Sequence, residues 1–482
     1  MGLDHKIDRR KLLLGTLGSV AGSSVLLCPK DAFAQASSGR DDDPHFLLIL
    51  FVSGGIDASY IWDARPLSHA KAKLQTNYFK SPVEPTVWEG VNGGKTLVTH
   101  LMNPMKKFRQ NFSILNGVLM ADNFDGHEQN INLTFTGNAF GGDWFAPFMN
   151  NAQKFSLDGV SLLGNVFADF PSNGHATISI SQSGLRSLAT PSVENAESTR
   201  QDPMMAFAAS RAKAINAASK SPNGRFTQGA GHMLRGILES SNLKNRISRV
   251  KVSDAKGLTG IVESAMQIFS AGLSKTVAID LARLDDFQNQ NFGFDVHGAD
   301  GAKTVPENYQ ILMNKVAEVF QILQETRFPG SQKSYLDVTT VLMTSDFNRT
   351  TRQLNSPIDQ SGTDHNPLSN TFLLGGKGIK GNMVVGATDL DTLGGETYAN
   401  VSAAHKSLDP DLIKAMGKPF DLKEAKVMSG VPETYRRTDY LTVETVINTV
   451  LKSFGVTKKE HLRPYAGDRS GTIAPSLDKI LT

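Results

Sequence analysis

Residues 46–53 (FLLILFVS) are apolar without alternation, a run too short to cross a membrane and too continuous for a half-exposed strand. The pattern predicts a strand buried on both faces, as in a parallel sheet. Residues 337–344 (DVTTVLMT) predict a second such strand. Shorter strands are predicted over 112–116, 177–181, 277–280, 371–374 and 383–385. Between them, apolar residues recur at three- and four-residue spacings over 203–219, 230–241, 258–273, 306–327 and 442–454, which predicts amphipathic helices. In 306–327, Leu312, Val316, Val319, Phe320 and Leu323 share one face, and Pro306 suits a first helical turn. Buried strands alternating with amphipathic helices predict an α/β fold, a large mixed, mostly parallel sheet flanked by helices. The helical stretch around 200–275 reads as an insertion. Glycines at 375–381 and 394–395 read as turns, and 387–431 as a loop-rich excursion near the site.

Several predicted strands run straight into a carboxylate or histidine. Residues 47–57 end on Gly54-Gly55-Ile56-Asp57, 292–297 on Asp295-Val296-His297, and 338–365 pass through Asp346 to His365. In an open α/β sheet, the carboxyl ends of the strands are where a metal or catalytic site assembles. Asp57 reads either as a metal ligand or as a helix N-cap ahead of Ala58. Asp295 and His297 stand two apart, so in a strand both face one ion, or Asp295 orients the His297 ring. Asp346 is a ligand candidate, and Arg349 either contacts an anionic substrate or pairs with a carboxylate. Gly362-Thr363-Asp364-His365 puts His365 at a Gly turn, with Asp364 as ligand or orienting group. His127-Glu128 closes a polar cluster that either joins the site or is a solvated loop.

The amino terminus carries a different signal. Asp8-Arg9-Arg10-Lys11-Leu12-Leu13 leads into a weakly hydrophobic run, and Ala32-Phe33-Ala34 supplies a cleavage site, so 1–34 read as a twin-arginine signal peptide. The expectation is export by the Tat machinery to the periplasm or beyond, with 35–482 as a single domain that has no membrane span. Cleavage removes Cys28, the only cysteine, so any metal is left to oxygen and imidazole donors. With 50 basic and 47 acidic residues there is no cationic excess of the kind that binds nucleic acid. Neither a G-x-S-x-G elbow nor an H-E-x-x-H helix occurs.

Taken together, the strand-GG-x-D start, F-D-x-H-G at 294–298, T-S-D-F-N-R-T at 344–350 and G-T-D-H at 362–365 resemble DUF1501, a family of exported bacterial proteins that looks like a distant branch of the alkaline phosphatase and sulfatase superfamily. The resemblance implies an alkaline-phosphatase-like core, with paired divalent ions (zinc, calcium, magnesium or manganese) binding a phosphate or sulfate ester beside a Ser or Thr nucleophile. It implies Asp57, Asp295, His297, Asp346 and His365 as metal ligands, with Arg349 and His127 at the substrate. The implied function is metal-dependent ester hydrolysis in the cell envelope, on a small anionic ester or a cell-surface polymer. The alternative is a non-catalytic envelope or surface-assembly protein with a degenerate metal or anion site. Three departures bear on this. Phe347 follows Asp346 where the superfamily has histidine, Gly126 stands where the family often has serine, and the nucleophile is unplaced, with Ser59 and Thr134 only nearby hydroxyls.

Overall fold

The computed structural model describes residues 44–64, 85–92, 94–120, 126–139, 155, 157–164, 166, 177–189, 246–287, 294–297, 305–350, 363–389, 416–429 and 435–482. The leader, the helices expected over 203–219 and 230–241, and the glycines at 394–395 lie outside these residues. The strands are β1 (Phe46–Val52), β2 (Pro85–Val91), β3 (Gly94–Thr99), β4 (Phe112–Val118), β5 (Gly159–Leu163), β6 (Thr177–Ser179), β7 (Thr276–Asp280), β8 (Thr339–Ser345), β9 (Asn348–Arg349), β10 (His365–Asn366), β11 (Asn370–Gly376) and β12 (Met383–Val385). Eight of them form one sheet in the order β12-β4-β11-β8-β1-β7-β5-β6. All neighbours are parallel except β11, which runs antiparallel to both β4 and β8. The sheet is mixed and mostly parallel, as the sequence predicts.

The unbroken apolar run of β1 has a direct structural cause. Phe46, Leu48, Leu50 and Val52 pack into one core, and Leu47, Ile49 and Phe51 into another on the opposite face. Helices α2 (Gln182–Ala189), α3 (Gly257–Ser270) and α4 (Val305–Glu325) cover the first face. Helices α1 (His127–Thr136) and α5 (Val443–Ser453) cover the second, with Leu133, Phe135, Val446 and Val450 turned inward. A central strand with helices on both sides needs apolar residues at every position. Thr442 caps α5 by accepting a hydrogen bond from the Thr445 amide, which fixes the start of the late helix. No helix among the described residues is long and apolar enough to cross a membrane.

Several elements were not legible in the pattern: the β2–β3 hairpin, β5, the 3-10 segment His100–Asn111 and helix α1. His127-Glu128, read as joining the site or as part of a solvated loop, open a helix that begins at His127.

Because β8, β1 and β7 are parallel neighbours, their carboxyl ends share one edge. Val52 stands beside Ser345, and Phe51 beside Asp280. At that edge the Ser53 amide donates to Asp280 Oδ1 at 3.2 Å and the Gly54 amide to Asp346 Oδ2 at 3.3 Å. The candidate site is built on this loop.

Candidate metal centre

Four side chains from three segments converge above the ends of β1 and β8. His127 enters from the first turn of α1. Asp295 and His297 come from 294–297, which is not a strand; Val296 turns into the core between them and leaves both on the outer side. His365 arrives on β10, paired in an antiparallel ladder with Arg349 of β9. Asp295 Oδ1 lies 2.9 Å from His297 Nε2, 3.6 Å from His127 Nε2 and 3.8 Å from His365 Nε2. His297 Nε2 and His365 Nε2 are 3.1 Å apart.

Those separations are informative. Metal–nitrogen bonds of ~2.0–2.1 Å in a tetrahedron give donor–donor edges of about 3.3 Å, and the four distances straddle that value. Two groups among the described residues bring their ligand atoms together closely enough to hold a metal ion: His127, Asp295 and His365, and His297, Asp364 and His365. Imidazole with one carboxylate is a donor set that fits a borderline divalent ion, so the residues present fit the implied metal.

Around these donors stand groups that hold them in place. His127 Nδ1 makes a short hydrogen bond to Asp346 Oδ2, so Asp346 orients the His127 ring. Asp346 is buried, and among the described residues its Oδ1 has no hydrogen-bond partner. Asp364 Oδ1 lies 3.4 Å from His297 Nδ1 and accepts from the His365 amide at 2.8 Å. Phe347 is buried against the rings of His127 and His365, at centroid distances of 4.8 and 4.5 Å. It forms an apolar wall beside the cluster.

The charges follow from this packing. Burial opposes a charged His127 ring, but the Asp295 and Asp346 carboxylates outweigh it and push its pKa up to about 9. Burial also opposes ionised Asp295, and contacts from His127, His297 and His365 with the charge of Arg349 outweigh it, holding the carboxyl well below its usual range.

The remaining sequence candidates fall in other places. Asp57 is buried at the end of the β1 loop, its amide donating to Tyr309 Oη at 2.6 Å, and it belongs to neither metal-capable group. Asp346 is likewise outside both groups and reaches the cluster through His127. Ser59 lies in the 3-10 turn Ala58–Tyr60. Thr134 is buried in α1, and its hydroxyl donates back to Asn130 O at 2.8 Å. Arg349 is sealed inside the structure, as described below. Asp280 was not singled out from the sequence, although it closes the buried strand β7 by the same signal that marks Asp57. Burial raises its pKa, opposed by Ser53 and Arg283.

Among curated proteins, no relative matches the chain. The crystal structure of the lipoteichoic acid synthase LtaP from Listeria monocytogenes is similar at 8% identity with a TM-score of 0.30, over 78% of this chain and 74% of that one. A protein in the alkaline phosphatase superfamily from Vibrio parahaemolyticus is similar at 9% identity with a TM-score of 0.28, over 79% and 71%. Residues 287–467, which carry all of these site residues except those of the β1 loop and α1, match the family described as Protein of unknown function (DUF1501), the family whose motifs the sequence resembles.

Proposed function

We propose that the cluster of His127, Asp295, His297 and His365 holds a divalent metal ion and that the protein is a metal-dependent hydrolase of phosphate or sulfate esters. The observation that carries this reading is the convergence of three imidazole Nε2 atoms on Asp295 Oδ1 at 2.9, 3.6 and 3.8 Å. Three imidazoles favour zinc over calcium or magnesium. When bound, such an ion supplies Lewis acidity toward the non-bridging oxygens of the ester.

The chain's own residues prepare the site in three ways. Asp346 fixes the His127 ring through Nδ1, which leaves Nε2 directed at the cluster. Asp364 holds the His297 ring from its Nδ1 side. Phe347 seals the inner wall, so an ester approaches from the outer side, where Asp295 and His297 are each more than 40% exposed.

The hydroxyl of Thr134 is turned into its own helix, which favours water over that side chain as the nucleophile. The same observation supports a second reading, an exported envelope protein that binds metal or an anion without turnover. The twin-arginine leader supports action in the cell envelope, on a small ester or a surface polymer.

Elemental analysis of natively exported protein, followed by assays on aryl phosphate, phosphodiester and aryl sulfate, tests the proposal. The expected result is stoichiometric metal with hydrolysis of at least one ester class. Absence of divalent metal, both as exported and after incubation with zinc, would sink it. Bound metal without turnover would select the second reading.

A further inference from the structure

The guanidinium of Arg349 lies at the base of the cluster with its side chain only 2% exposed, so an anionic ester in solution does not reach it. Each of its nitrogens is engaged by protein. Nε donates to Thr363 Oγ1 at 2.9 Å, Nη2 to Thr363 O at 2.9 Å, and Nη1 to both Gly54 O at 3.2 Å and Asp295 Oδ1 at 3.0 Å. One side chain thereby ties together the β1 loop, the 294–297 segment and the segment leading to His365. The stem is enclosed as well: a methyl group on Gly55 would come within 2.7 Å of Arg349 Cδ and 2.9 Å of Phe347. The backbone of Arg349 is also the ladder partner of His365, so one residue sets the position of two metal-capable groups.

We propose that Arg349 is a positioning residue, a built-in cation that locks Asp295 in the arrangement that binds metal. The proposal rests on the metal reading above. The guanidinium stands 3.0 Å from Asp295 Oδ1. Buried as it is, its charge is weakly screened. An arginine keeps it at every accessible pH, and its planar fork bridges Gly54 O and Asp295 Oδ1 together, which a lysine ammonium does less well.

The test uses the full chain, stripped of metal and titrated with zinc by calorimetry, with bound zinc counted after dialysis. Wild-type protein is expected to hold at least one zinc ion per chain. Arg349→Met is expected to weaken zinc about 10- to 100-fold, the usual effect of removing a partner that orients a ligand, and Arg349→Lys to recover part of the loss. Thr363→Val removes only the Nε acceptor and its bond to Val296 O, and is expected to weaken zinc several-fold; it decides the matter if Arg349→Met does not fold. The zinc-induced rise in Tm should shrink in each variant relative to its own metal-free Tm, which a purely structural role would not produce. Unchanged zinc affinity in the variants overturns the role of Arg349 and leaves the metal reading standing. A wild-type chain that binds no zinc overturns both.

Discussion

Gly54 offers the most direct test of how the sheet edge holds the site. It follows β1 with φ of +103°, and a Cβ built on it would lie 2.5 Å from the Asp295 amide nitrogen and 2.9 Å from Phe294 C. Gly54→Ala therefore meets two separate penalties. An L-residue in a left-handed conformation costs about 1–2 kcal/mol. The contacts are with backbone rather than with the end of a flexible side chain, so 294–295 must retreat by ~1 Å, and overpacking of that kind costs about 1–3 kcal/mol. The sum, roughly 2–5 kcal/mol, is a large part of the stability of an ordinary domain. What yields is the backbone of Asp295 itself, so the loss of stability should come with loss of zinc affinity. Gly90→Ala is the control: Gly90 also has positive φ, +79°, but nothing lies within 4 Å of its Cβ, so only the conformational cost applies. Urea unfolding of both variants, with and without zinc, measures the difference. If Gly54→Ala costs no more than Gly90→Ala, or loses stability while binding zinc as tightly as wild type, the loop does not hold Asp295 as argued.

In metal-free protein, His127 has a pKa raised to about 9, so the stability it contributes is complete below the ordinary value near 6.5 and is lost as pH rises through 9. The full shift corresponds to about 3 kcal/mol, reduced to about 1–2 kcal/mol because the ring is one-third exposed; His127→Gln should flatten this part of the stability–pH curve, and a curve unchanged by that substitution would contradict the assignment. At the start of α5, Arg437 donates through Nη2 to Glu444 at 2.9 and 3.1 Å and to Met120 O at 2.5 Å, with Glu444 fully buried. Glu444→Gln removes a buried carboxylate from that guanidinium and should cost about 3–5 kcal/mol in denaturant unfolding; a loss below ~1 kcal/mol would show the pair to be solvated.

The parts of this arrangement that were legible in the sequence are those that depend on local pattern. The double burial of β1 follows from seven consecutive apolar residues, and the meeting of Asp295 with His297 from their spacing with Val296 between them. Helix α1 was hidden because Leu133 and Phe135, with Ile131 partly buried beside them, are too few apolar positions to show a helical period. The direction of Arg349 was equally hidden. Its position after Asp346 is the same whether the guanidinium faces a substrate or turns inward, and the choice is made by acceptors at Gly54, Asp295 and Thr363, distant in sequence from one another. Asp57 and Asp346 show the converse. Both close strong strand signals, yet a buried strand end puts a carboxylate at the sheet edge without deciding whether it meets an ion, an amide or a histidine.

The electrostatics of the cluster join the pH and metal predictions into one. Asp346 is buried with Oδ1 unpartnered among the described residues, and its other oxygen is committed to His127 and to the Gly54 amide. An ionised carboxylate in that setting needs positive charge close by. Arg349 is directed at Asp295, so the charge must come through His127. In metal-free protein a proton on His127 supplies it, and, against the effect of burial, the Asp295 and Asp346 carboxylates push the ring's pKa up to about 9. A metal ion at His127 Nε2 requires the neutral ring and brings its own charge to the same place. Proton and metal are therefore alternative occupants of one electrostatic position. Zinc binding at pH 7.5 should release a proton from His127, measurable as a dependence of the calorimetric heat on buffer ionisation enthalpy, and that part of the release should disappear in His127→Gln. Zinc binding with no proton release at that pH would mean that the ion is held without His127 and that Asp346 serves the fold rather than the site.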